Sequence, residues 1–233
     1  MKPTWSSLII KYFFILLAVA VVLYPLIWMV TMAFKPYPEW TTVQGLTWLP
    51  KDPTLQNFEF LFFGHANGLV VTLDRTVVMP MISSLVTSTL GTAIAVVCGT
   101  LSSYAVVRFG QAPSMPLSIL QLRLFPPLAV MIPVMVMWAF MGAIDTWWGL
   151  SIIYGIVTLP FGFWLMKTFF EEVPIEIEEA ARVAGSSRFR VFWKITLPIV
   201  KPGLATCVLF VFIMNWSDYL LSLLLTQKEW VTL

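Results

Sequence analysis

Apolar positions dominate this chain in five long runs, and polar positions gather in the segments between them. Residues 12–34 carry no charge, enough chain to cross a hydrocarbon core about 30 Å thick as a helix. Residues 76–107 are also uncharged and exceed what one crossing needs, so Pro80 reads as an interfacial entry and the span proper as 82–107. A third run covers 117–144, a fourth 148–167 with Pro160 as a kink, and a fifth 202–227, interrupted only by Asp218. The pattern predicts an all-α integral membrane protein, one transmembrane domain over 1–233 with five visible transmembrane helices.

Details within the runs sharpen this reading. Lys2 and Lys11 precede the first run in the manner of a signal peptide. Its apolar region is too long for one, and Pro25-Leu26-Ile27-Trp28 occupies the place of a small-residue cleavage site, so the span is retained. In the second run Ser84, Ser88, Gly91, Ala95, Gly99 and Ser102 recur at three- and four-residue steps. That spacing lines small side chains on one face and suits close helix packing. The third run holds Arg123 near one end, where a long side chain snorkels or pairs with a neighbouring helix. Pro126, Pro127 and Pro133 free backbone carbonyls there, which lipid does not tolerate. Protein or a water-filled cavity must satisfy them, so this span is a candidate to line a pathway.

The segment 35–75 is a polar loop with Pro36, Pro38, Pro50 and Pro53, and residues 54–58 suit the start of a short helix. The polar segment 168–201 is different in character. Pro174 suits the first turn of a helix, and Glu176, Glu178 and Glu179 complement the positive end of its dipole. Ala180, Ala181 and Ala184 favour helix and leave little bulk, so a partner surface can come close. Gly185 predicts a left-handed stop, after which Ser186 and Ser187 restart the chain into a basic, aromatic second helix that Pro198 ends.

Composition agrees with a membrane class. The chain of 233 residues is 59% hydrophobic and 11% charged, against roughly 25% charged in soluble domains. A net charge of +2 and the lack of a basic run argue against a nucleic-acid partner. Cys98 and Cys207 fall in apolar runs and read as small buried hydrophobes; one histidine, His65, leaves a metal site without ligands. Assigning loops alternately puts Lys2, Lys11, Arg108, Lys167, Arg182, Arg188, Arg190, Lys194 and Lys201 on one side. Lys35, Lys51, Arg75 and Lys228 fall on the other. The positive-inside rule then makes the first side cytoplasmic, with the N-terminus and segment 168–201.

No phosphate-binding G-x-x-x-x-G-K-[ST], no H-E-x-x-H, no G-x-S-x-G and no carboxylate pair within an apolar run occurs, so no catalytic set is predicted. Asn215, Trp216, Asp218 and Tyr219 stand out in the fifth run. Aromatic faces beside amide and carboxylate acceptors suit a sugar in a substrate path, and they equally suit helix-to-helix packing.

Glu179-Ala180-Ala181, then Gly185 after three residues and Ile195-x-Leu197-Pro198 after nine more, resembles the EAA loop of bacterial ABC-importer membrane subunits. Phe125-Pro126-Pro127 with Ile132-Pro133, Asp145-Thr146-Trp147-Trp148-Gly149-Leu150 and Asn215-Trp216-Ser217-Asp218-Tyr219-Leu220 resemble its carbohydrate, MalG-like branch. Ala184 departs from the pattern, where many relatives carry an acidic residue.

The resemblance implies a type I importer permease fold of six spans in a bacterial inner membrane, so that one C-terminal span is missing and the chain is a fragment or truncated product. It implies ATPase coupling through Glu179, Ala180, Ala181, Gly185, Ile195, Leu197 and Pro198. It also implies partners: a dimer of ABC ATPase subunits that holds ATP and Mg, a second permease subunit, and an extracytoplasmic solute-binding protein. In this family segment 35–75 is where the binding protein docks; from its residues alone it is equally a connector. The cargo implied is a sugar or polyol. A non-sugar solute, or an ATP-independent transporter, is the alternative.

Overall fold

The computed structural model describes residues 5–36, 39, 48–64, 76–110, 118, 119, 121, 127–226 and 230–232. All regular structure among them is helical. Arg123, Phe125, Pro126, His65, Arg75 and Lys228 lie outside the described residues. The chain forms two compact units, Met1–Val78 and Met79–Leu233.

The first unit holds α1 (Trp5–Ala33) and α2 (Gln56–Phe63). Most of the described side chains of α1 are not covered by the rest of the protein, and a helix apolar all round with no protein cover suits a membrane span. At its end the Asn57 amide nitrogen donates to Ala33 O (2.9 Å) and Lys35 O (2.8 Å), taking carbonyls that a helix terminus leaves free. Trp48 packs edge-on against Tyr24 and Trp28, with centroids 4.8 and 5.3 Å away. The short helix expected from residue 54 is α2, closed by Gly64 at φ 76°.

The second unit contains α3 (Val78–Phe109), α4 (Pro127–Phe140), α5 (Trp147–Glu171), α6 (Ile175–Val183), α7 (Arg188–Ile199), α8 (Lys201–Trp216) and α9 (Leu220–Leu225). The small-residue face of α3 is its packing face: Ser84, Ser88, Gly91, Ala95 and Gly99 are buried, and Ser102 is half-buried. Gly99 lies against the α5 backbone, where an added Cβ would sit 2.9 Å from Phe163 N and 3.0 Å from Gly162 C. Gly162 in turn faces Ala95 and Cys207 of α8. Three helices thus meet at contact distances that only small residues permit. Cys207 is buried there, as its apolar run suggested, whereas Cys98 is exposed.

Leu8–Ala33, Val78–Phe109 and Trp147–Glu171 are each long and apolar enough to cross a membrane. A fourth crossing is counted if α7 and α8, bent by 76° at Val200, are one broken span. In the expected third run the described helix is α4, with Pro133 inside it. The expected fifth run is two helices. Asp218 Oδ1 accepts from Leu221 N at 2.8 Å, so a side chain takes the backbone donor that a continuous helix would use. Pro198 also differs from expectation: α7 runs past it to Ile199 through a π-helical turn, Phe192–Thr196. Proline lacks the N–H and its ring crowds the carbonyl four residues back, which the wider turn accommodates.

The α4–α5 connection is pinned to the end of the unit. Asp145, at φ 60°, donates its N–H to Leu225 O (2.8 Å) and accepts from Trp230 N (3.1 Å).

Candidate functional site

The segment between α5 and α8 folds as a helix, a sharp turn and a second helix. Pro174 stands at the N-cap of α6, Glu176 and Glu178 in its first turn and Arg182 in its last, each charge matched to the dipole. Gly185, at φ 85°, closes it. Gly185 N donates to Arg182 O (2.9 Å) and Ser186 N to Ala181 O (3.0 Å), the paired bonds of a Schellman ending. No atom lies within 4 Å of a Cβ added at Gly185, so the glycine serves the backbone turn and not a close contact. Ser187 then caps α7, its hydroxyl accepting from Arg190 N at 3.4 Å.

One glutamate ties this hairpin to the membrane helices. Glu178 Oε1 accepts from Arg108 Nε at 2.7 Å and from Thr196 Oγ1 at 2.9 Å; Oε2 accepts from the Tyr104 hydroxyl at 2.9 Å. Arg108 also donates from Nη2 to Val173 O at 2.8 Å. The Arg108 and Glu178 side chains are only 8% and 7% exposed. A buried pair gains little net stability over apolar packing, but removing one partner alone strands a charge, at a cost of about 3–5 kcal/mol. Tyr104 and Arg108 are one turn apart on α3 and share a face. The π turn of α7 delivers Thr196 to the carboxylate and Phe192 to the Tyr104 ring, 4.7 Å between centroids. Phe170 at the end of α5 closes the cluster, 5.4 Å from the same ring.

The motif residues divide around this anchor. Glu179, Ala180, Gly185 and Pro198 are exposed, while Ala181, Ile195 and Leu197 are half-buried. Leu197 packs on the core cluster that holds Tyr104, Phe170 and Phe192. Val183 and Phe189 are 90% and 75% exposed, Val183 one turn after Glu179 on α6. A cleft of about 60 Å³ opens beside the anchor, between Phe109, Arg182, Arg188 and Val191.

The four residues of the expected substrate path do not converge. Asn215 is 1% exposed and turned into the bundle; its Nδ2 donates to Thr92 Oγ1 at 3.1 Å, and its Oδ1 has no partner. Trp216 is exposed and stacked on Phe212, with centroids 5.7 Å apart. Asp218 is half-buried and engaged with the start of α9, and Tyr219 is exposed.

Sequence reasoning did not single out Glu178 or Arg108. The available signal was slight: one turn before Arg108 stands Tyr104, not an acid, so the counter-charge comes from a distant segment.

A bundle of apolar helices with small-residue contacts, carrying a polar helix–turn–helix on a buried ion pair, defines an all-helical membrane protein. Residues 91–231 match the family described as the binding-protein-dependent transport system inner membrane component, and the chain belongs to that family. It is 32% identical over 216 residues to the trehalose transport system permease protein SugB of Mycobacterium tuberculosis, covering 91% of this chain and 74% of the relative. It is 27% identical over 221 residues to the galactooligosaccharides transport system permease protein GanQ of Bacillus subtilis, covering 94% of this chain and 74% of the relative. Among solved structures, a chain of a bacterial ABC transporter that imports the acidic polysaccharide alginate superposes with TM-score 0.78. The identity is 22%, over 99% of this chain and 79% of that one, and the likeness shows a shared fold, that of a type I importer permease. The protein is therefore a multi-pass inner-membrane permease component of a binding-protein-dependent importer.

Proposed function

We propose that this permease carries a carbohydrate, and that the α6–α7 hairpin is its docking element for an ABC ATPase subunit. The hairpin carries the proposal. One side is anchored to α3 through Glu178, and the other presents Glu179, Ala180, Val183 and Phe189 to a partner. Val183 and Phe189 offer a partner apolar side chains on either side of the Gly185 turn, and the alanines beside Glu179 let a groove close on the backbone. Glu179 pairs with a basic residue of that groove, Ala181 and Gly185 set the hairpin's shape, and Ile195, Leu197 and Pro198 seat its second helix.

ATP and Mg²⁺ belong to the ATPase partner, since this sequence has no phosphate-binding loop. The hairpin lies on the cytoplasmic side with the N-terminus, in keeping with the excess of lysine and arginine there. A second, different permease subunit completes the pathway, and an extracytoplasmic binding protein delivers the sugar. The sugar assignment rests on the transport names of the similar proteins and on the aromatic and polar character of Trp216, Asp218 and Tyr219, which we assign to the substrate path.

Uptake tests this reading. The complex in proteoliposomes should accumulate one of a panel of labelled oligosaccharides only with ATP inside and binding protein outside. A photo-crosslinker at Phe189 should capture the ATPase subunit. Uptake without ATP, or crosslinks confined to lipid, would overturn it.

A further inference from the structure

We infer that Glu178, Arg108, Tyr104 and Thr196 form the joint through which movement of the α6–α7 hairpin reaches α3, with Glu178 and Arg108 as its positioning residues. The inference rests on the coupling reading above and assigns a role to residues outside the EAA pattern itself.

The geometry is specific. A single carboxylate collects donors from two elements: Tyr104 and Arg108 from α3, and Thr196 from the π turn of α7. Its own helix, α6, is held a second time, because Arg108 Nη2 also bonds Val173 O just before that helix begins. The joint thus fixes α6, α7 and the end of α3 as one body. Charge-assisted bonds are shorter and roughly twice as strong as neutral ones, and they are directional, so this connection fixes the register of α6 against α3. The π turn has a reason here as well: it carries Thr196, fully buried, to Glu178 Oε1.

From the joint, α3 runs past Gly99 to Gly91 and Thr92. There it contacts Tyr154 of α5 and Asn215 of α8. A displacement applied at Arg108 is therefore delivered to the contact of the three helices. Asn215 of α8 donates Nδ2 to Thr92 Oγ1 and so ties α8 to α3 at this level.

Glu178→Gln alone leaves Arg108 buried without its counter-charge and risks misfolding. The decisive variant is the double substitution Arg108→Gln with Glu178→Gln, which removes both charges, keeps amide donors and acceptors near the joint, and gives up the Arg108 Nη2 bond to Val173 O. It should still assemble with the ATPase, and its stimulated rate is read as a ratio to its own basal rate. Stimulation by sugar-loaded binding protein should fall on the order of fivefold or more, the range of a lost inter-site coupling. Arg108→Lys, which keeps the charge but not the fork, should fall between the two.

Wild-type stimulation in the double variant would overturn the inference. So would failure of the double variant to assemble, which would make the cluster a folding element only. If the wild-type complex is not stimulated either, the coupling reading itself falls, and this one with it.

Discussion

A Cβ placed on Gly91 of α3 would lie 2.6 Å from the Cβ of Tyr154 on α5, closer than packed atoms tolerate. The same Cβ would also sit 3.2 Å from Ser151 O and 3.4 Å from Asn215 Nδ2. Two helices therefore approach each other here on the strength of one missing methyl group.

Gly91→Ala should separate α3 from α5. Alanine favours helix by about 1 kcal/mol, but overpacking costs typically 1–3 kcal/mol, so a net loss of up to about 2 kcal/mol is expected. Thermal unfolding in detergent should show a lower midpoint. Gly99→Ala should behave alike, because its nearest atoms are backbone and yield less readily.

Glu178 and Glu179 are neighbours with opposite environments, the first buried in its cluster and the second exposed. Glu178→Ala should destabilise the chain by about 3–5 kcal/mol, as Arg108 loses its counter-charge. Glu179→Ala should change stability by less than about 0.5 kcal/mol and should instead weaken recovery of the ATPase on affinity capture. Unfolding midpoints and capture yields, measured on the same preparations, separate the two effects.

Gly185→Ala tests the turn. Its left-handed backbone costs a side-chain-bearing residue about 1–2 kcal/mol, and there is no clash to add to that. The variant should remain assembled with a small stability loss, whereas Gly185→Pro cannot adopt φ 85° at all.

Asn215 and Trp216 should part company in uptake. Asn215→Ala strips the bond to Thr92 and should lower stability by about 1 kcal/mol. Trp216→Ala removes the stack on Phe212, so a stability loss of about 1 kcal/mol is expected, and it should in addition raise the sugar concentration needed for half-maximal uptake.

Much of the helical plan was legible because membrane helices advertise themselves by uncharged length, and the α3 contact face by the three- and four-residue recurrence of small residues. The Gly185 ending was legible for the same local reason. Tertiary pairings were not. Glu178 and Glu179 are chemically identical in the sequence, and only the path of α3 decides which of them meets Arg108. The interruption after Trp216 was hidden because Asp218 inside an apolar run signals polarity, not a cap. The π turn at Phe192–Thr196 has no periodic signature and arises from Pro198 together with the anchoring of Thr196.

The most direct measurement is ATP hydrolysis by the reconstituted complex, wild type against Gly185→Pro, with binding protein and candidate sugars added. Stimulation by sugar-loaded binding protein in the wild type, abolished in the variant, is the expected result, with capture of the ATPase on the same preparations showing whether docking is lost as well. Hydrolysis indifferent to Gly185 would contradict a coupling role for the hairpin.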